Sequence, residues 1–166
     1  MALKDSFISE MKHEAAMTRK MLDRVPWDKK DWQPHEKSMT AGRLATHITE
    51  TLQWIPRIHE IDDFDFLVHF SFKRYTAETK EELMQLFQAN LDKAIRHLSA
   101  MNDDDFDKSW TVRRGEQVMF NIPKKVAVRS WGFSHQVHHR GQLSVFLRLL
   151  DVPIPGMYGP SADERM

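Results

Sequence analysis

Four stretches of this chain repeat apolar residues at the helical period, and breakers stand between them. That pattern leaves an all-α fold as the only class the periodicity supports. The first stretch runs from about Lys4 to Val25, carries Phe7, Met11, Thr18, Leu22 and Val25 on one face, and stops before Pro26. The second begins near Ser38 or Thr40 and places Leu44, Ile48, Leu52 and Ile55 on one side, with Pro56 expected to kink or end it. The third opens at Thr79-Lys80-Glu81-Glu82, which fits a capping box, and continues through Leu83, Phe87, Leu91, Ala94, Leu98 and Met101. The fourth starts near Asn121 to Pro123 and runs to about Leu150, where Asp151-Val152-Pro153 ends it.

At 166 residues the chain is read as one domain over 1–166. Two connections, 59–79 and 102–121, are longer than antiparallel helices require. In the second, Trp110-Thr111-Val112 and Gln117-Val118-Met119-Phe120 flank Arg113-Arg114-Gly115-Glu116 and fit a short hairpin. The acidic run Asp103-Asp104-Asp105 reads as solvated loop. The proline- and glycine-rich tail from Pro153 to Ser161 is apolar enough to pack across the helices.

Composition removes several classes of function. Lysine plus arginine (24) balances aspartate plus glutamate (24), which argues against nucleic acid as a partner. The chain has no cysteine, so any thiol chemistry needs a thiol from outside. No apolar run approaches the ~20 residues that span a bilayer, and the N-terminus lacks a signal core, so no membrane partner and a cytoplasmic location are expected.

The chemistry concentrates in the fourth stretch. His135 and His139 are four residues apart, which on a helix points both imidazoles the same way, so one metal ion could take both. At roughly 100° per residue, Val128, Trp131, Gln142, Phe146 and Leu149 fall near the direction of His135, while Arg129, Arg140, Ser144 and Arg148 fall opposite. A site open to chemistry needs a third ligand. His47, at the edge of the second apolar face near Trp54, is the best candidate, with a hydrogen-bonded rim histidine as the alternative. His138 competes with His139 for the pairing with His135. His13, His35, His59, His69 and His97 read as isolated surface or loop residues. Phe133 and Val137 share the otherwise polar back of the fourth helix and suggest a subunit interface.

Together, Leu44-Ala45-Thr46-His47-Ile48, the late segment His135-Gln136-Val137-His138-His139-Arg140-Gly141-Gln142-Leu143 and the tail Pro155-Gly156-Met157-Tyr158-Gly159-Pro160 resemble the DinB/YfiT family of metalloenzymes. This is not the DNA polymerase that shares the DinB name. The resemblance covers essentially the whole chain. It implies a four-helix bundle in up-down-down-up order, a metal on His47, His135 and His139 with His138 a neighbour, and a homodimer. Gln142 matches the motif and is expected to support a ligand from behind, with helix packing as its other reading.

Family members include transferases and isomerases in which the metal activates a low-molecular-weight thiol, and others are called metal-dependent hydrolases. The ion is divalent: zinc and nickel head the choices, and iron and manganese also suit imidazoles. Gln136 follows His135, so the zincin base of HExxH is absent, and hydrolysis would need Glu50 or the tail acids Asp163 and Glu164. Thiol transfer to a small-molecule substrate is therefore favoured, with Trp54, Trp131, Met157 and Tyr158 as its pocket. A metal-dependent hydrolase or a non-catalytic metal-binding protein is the alternative.

Overall fold

A computed structural model describes residues 2–70 and 75–164. Helix α1 spans Leu3–Asp23 and buries Phe7, Met11, Ala15, Thr18, Met21 and Leu22 along one stripe. Helix α2 spans Ala41–Thr51, and its Thr40 hydroxyl accepts the Arg43 N–H at 3.2 Å. Its entry is tight. A Cβ on Gly42 would stand 2.9 Å from the Lys30 Cβ, and the Gly42 N–H donates to the Lys30 carbonyl at 2.8 Å. After a break at Leu52 and Gln53, helix α3 covers Trp54–Glu60. Pro56 accounts for the break: it has no N–H for the Leu52 carbonyl and crowds it, yet is tolerated in the first turn of a new helix.

The two long connections supply secondary structure of their own. Strand β1, Asp63–Asp65, leads into the single-turn helix α4, Phe66–His69. Helix α5, Lys80–Ala100, follows, capped by the Thr79 hydroxyl, which accepts the Glu82 N–H at 3.1 Å. The Glu82 carboxylate accepts from Glu78 rather than Thr79, so the expected reciprocal box is only half made. The complete box forms at Asn102 and Asp105, at the start of helix α6, Asp103–Asp107. The acidic run read as loop is this helix. Strands β2, Ser109–Arg114, and β3, Gln117–Pro123, make the expected hairpin, with Gly115 at φ 60° in its turn.

β1 pairs with β2 in parallel and β3 pairs with it antiparallel, with an irregularity between Val112 and Arg113. The fold is therefore mostly helical with a small three-stranded mixed sheet, which corrects the all-α expectation. β1 escaped notice because three residues, of which only Phe64 is buried, cannot display a period.

The last helical stretch runs unbroken through helix α7, Lys124–Ala127, a π-helical segment, Val128–Ser134, and helix α8, His135–Leu149. α1 packs on α5 and α8, α2 on α5 and α8, and α3 on α5 and the π segment. Leu22, Leu44, Ile48, Leu52, Ile55, Leu83, Phe87, Leu98, Leu143 and Leu147 are sealed between them. Among the described residues no helix is long and apolar enough to cross a membrane.

Candidate metal centre

The buried face of α8 is formed by Gln136, His139, Arg140, Leu143 and Leu147, and it is centred roughly 90° round the helix from His135. His135 is thus half-buried at the edge of the core, and Leu149, placed inward by the wheel, is exposed. Arg140 corrects the expectation most sharply. Instead of facing solvent it is only 2 % exposed, its guanidinium donating to the Glu14 carboxylate at 2.6 Å, the Glu14 carbonyl at 3.0 Å and the Thr18 hydroxyl at 3.0 Å. Phe133 is likewise core: it stacks on Phe7 at 5.8 Å and cannot serve as a subunit surface. Val137 is half-buried.

Because α2 lies against α8, His47 meets the two histidines of α8 across that contact. Each of His47, His135 and His139 offers a nitrogen within 4.8 Å of the others, a group that could hold a metal ion. Ring centroids are 5.3 Å apart for His47 and His135, 4.5 Å for His47 and His139, and 4.7 Å for His135 and His139. His138 is exposed and lies outside the group, its ring 4.9 Å from His139 on the outer side.

Two of the three rings are anchored by a hydrogen bond. His47 Nδ1 lies 3.0 Å from a Glu50 carboxylate oxygen, and His139 Nδ1 lies 2.7 Å from the Gln142 carbonyl oxygen. Both partners are acceptors at those atoms, so each Nδ1 carries the hydrogen, which leaves Nε2 with its lone pair free. The His135 ring has the Trp131 indole beside it, with centroids 6.5 Å apart. Burial, reinforced by His139 and His47, pushes His135 down to about 4, and burial also holds His139 below its ordinary value. These two imidazoles are therefore neutral at physiological pH, the state a metal requires.

Glu50 does more than touch His47. The same oxygen accepts the Arg43 guanidinium at 2.7 Å. Burial alone would raise the Glu50 carboxyl, but the bonds from His47 and Arg43 together bring it below the usual carboxylate range. It is an ionised anchor and a poor proton acceptor. Arg43 was not foreseen, although its spacing of four before His47 and seven before Glu50 on one helix could have revealed it.

The indole of Trp131 approaches His135 at 6.5 Å and meets Trp54 at 4.5 Å, with Trp110, Phe64, Phe66 and Phe70 extending an aromatic wall. The tail does not join this wall. The Tyr158 hydroxyl donates to Glu14 at 2.8 Å and contacts Arg140, on the α1 side, while Asp163 pairs with Arg148 and Glu164 with Arg24. Met157 and Tyr158 line a hollow with His13, Gly156 and Glu164 that contains none of the three site histidines. His59 and His97 are not isolated: their Nδ1 atoms meet at 3.0 Å.

Comparison with known proteins bears on the family and the fold. The DinB family model matches residues 1–165. The uncharacterized protein YrdA of Bacillus subtilis (strain 168) is 23% identical over 169 residues, covering 96% of this chain and 90% of YrdA. Protein YjoA of the same organism, also uncharacterized, is 21% identical over 150 residues, covering 89% and 91%. Among solved structures, a DinB-like protein from Bacillus cereus ATCC 10987 superposes with a TM-score of 0.73 at 21% identity, covering 93% of this chain and 97% of that one. The crystal structure of YjoA gives 0.68 at 20% identity, covering 88% and 92%.

Proposed function

The chain belongs to the DinB family, and on that premise we propose that it is a metal-dependent enzyme in which His47, His135 and His139 hold one divalent ion that activates a low-molecular-weight thiol for transfer to a small electrophile. The observation that carries the reading is the convergence of three imidazole nitrogens within 4.8 Å of one another, with two of the rings held by separate partners, Glu50 and Gln142, which fix their tautomer and direction before any ion arrives. Zinc and nickel suit three imidazoles, as do iron and manganese. The bound ion would supply positive charge that favours the thiolate form of a small thiol over the thiol.

Support for thiol chemistry over hydrolysis comes from the fate of the acids. Gln136, in the place of the zincin glutamate, is 2 % exposed and takes a hydrogen bond from Thr18. The Glu50 oxygen on His47 is shared with Arg43, and Asp163 and Glu164 are committed to arginines on other faces. A general base poised near neutral pH is thus missing among the acids that sequence put forward. The sulfur comes from outside, since the chain has no cysteine.

Glutathione, bacillithiol, mycothiol and coenzyme A added in turn to metal-loaded protein, with 1-chloro-2,4-dinitrobenzene as electrophile, test the proposal. Metal-dependent conjugation with at least one thiol is expected. Metal-dependent ester or amide hydrolysis without thiol conjugation would overturn it.

A further inference from the structure

Arg57, in the last turn of α3, carries a charge that no carboxylate meets at ion-pair distance among the described residues. Its guanidinium donates to the Gln53 side-chain oxygen at 3.1 Å and rests over the rings of Trp54, at 5.0 Å, and Phe70, at 5.6 Å. These are the rings of the wall that reaches His135 through Trp131. The acid whose charge reaches it, Glu50, is already shared by Arg43 and His47. Counting formal charge, Arg43 and Arg57 outweigh Glu50 before any ion is bound.

A half-buried guanidinium with no carboxylate at ion-pair distance is unfavourable, because desolvation is not offset by a direct pair. Burial pulls Arg57 below the ordinary arginine value, only partly opposed by the Glu50 charge at longer range, and such a group stays charged throughout. Among the described residues Gln53 takes a hydrogen of Nη2 while Nε and Nη1 have no hydrogen-bond partner, so the guanidinium beside Trp54 and Phe70 keeps donors for the charge-assisted hydrogen bonds of a carboxylate.

We infer that Arg57 receives a carboxylate carried by the same small molecule whose other end reaches the three histidines. The inference rests on the proposed function only in making that other end a thiol. Arg57 is then a specificity-determining residue: it selects acidic over neutral or cationic tails. Trp131, half-buried between His135 and Trp54, is the ring that the stretch joining the two ends would meet.

The test uses cobalt-substituted protein and two series of probes, ω-mercaptocarboxylates of increasing length and ω-mercaptoalcohols of the same lengths, followed by the thiolate-to-cobalt absorption. At the length that spans the site the acid should bind about 10-fold more tightly than its alcohol, the scale of a hydrogen-bonded charge pair. Arg57→Met, which keeps the stem on Trp54, should bring the acids down to the alcohols at unchanged cobalt content, and Arg57→Lys should retain part of the preference. Equal binding of acids and alcohols at every length by the wild type would overturn the carboxylate inference and leave the thiol reading standing. Absence of any thiol-dependent band would overturn the thiol reading instead. The subsite is then decided on metal-free wild-type protein by NMR of the Arg57 Nε–H, assigned by its loss in Arg57→Lys. A shift with succinate but not with succinamide supports the subsite, and no shift with either removes it.

Discussion

Glu50 and Gln142 fix the direction of two imidazoles without being able to reach the same ion themselves through those bonded atoms, so their removal should weaken binding without abolishing it. Loss of such a supporting hydrogen bond typically lowers metal affinity about 10–100-fold. Glu50→Ala and Gln142→Ala are expected in that range by competition with a chromophoric chelator, while His138→Ala is expected to bind as wild type. Unchanged affinity in Glu50→Ala would remove the anchoring role. A second consequence concerns protons. The folded value of about 4 for His135 lies below the unfolded value of about 6.5. Between them the unfolded chain binds a proton that the native ring refuses. This contribution is complete above pH 6.5 and declines as pH falls toward 4. Metal-free protein should show a Tm that drops over that window, and His135→Gln should flatten the slope; an identical slope in the variant would show that His135 is not its source.

The helical elements were legible wherever periodicity extended over several turns, as in α1 and α5, because a long stripe averages out single exceptions. The sheet was half legible: the hairpin had turn chemistry at Gly115, whereas β1 had three residues and no pattern. For the site, the i, i+4 pair of α8 was readable from spacing, but the orientation of that helix was not. The wheel was centred on His135, and the core centre lies a quarter turn away, on a face that includes Arg140. A buried arginine looks polar in sequence, and its partner Glu14 is 126 positions distant. Breaking the pair strands a charge in the core, so Arg140→Ala should cost about 3–5 kcal/mol, roughly 10 °C or more in Tm for a chain of this size. The π segment offers a sharper element test. A Cβ on Gly132 would stand 2.5 Å from the Ile55 Cδ1, so Gly132→Ala should push the π segment off α3, lowering both Tm and metal affinity. Loss of neither would show that Ile55 yields to the methyl group without disturbing the site.

At the scale of the whole molecule, the proposed ligands lie on α2 and α8, at positions 47, 135 and 139 that are far apart in the chain, so an ion that bridged them would tie the fold together. Binding to the native state alone stabilises by RT ln(1 + [L]/Kd), about 2.7 kcal/mol at one hundred times Kd. The homodimer implied by the family resemblance would need a face other than Phe133, which is buried. The central claim is the trihistidine centre, and elemental analysis of protein purified without a histidine tag tests it most directly. The wild type and His138→Ala should each carry one equivalent of a single divalent metal, and His47→Ala, His135→Ala and His139→Ala should carry almost none. Full metal content in all three alanine variants, or loss confined to His138→Ala, would contradict it.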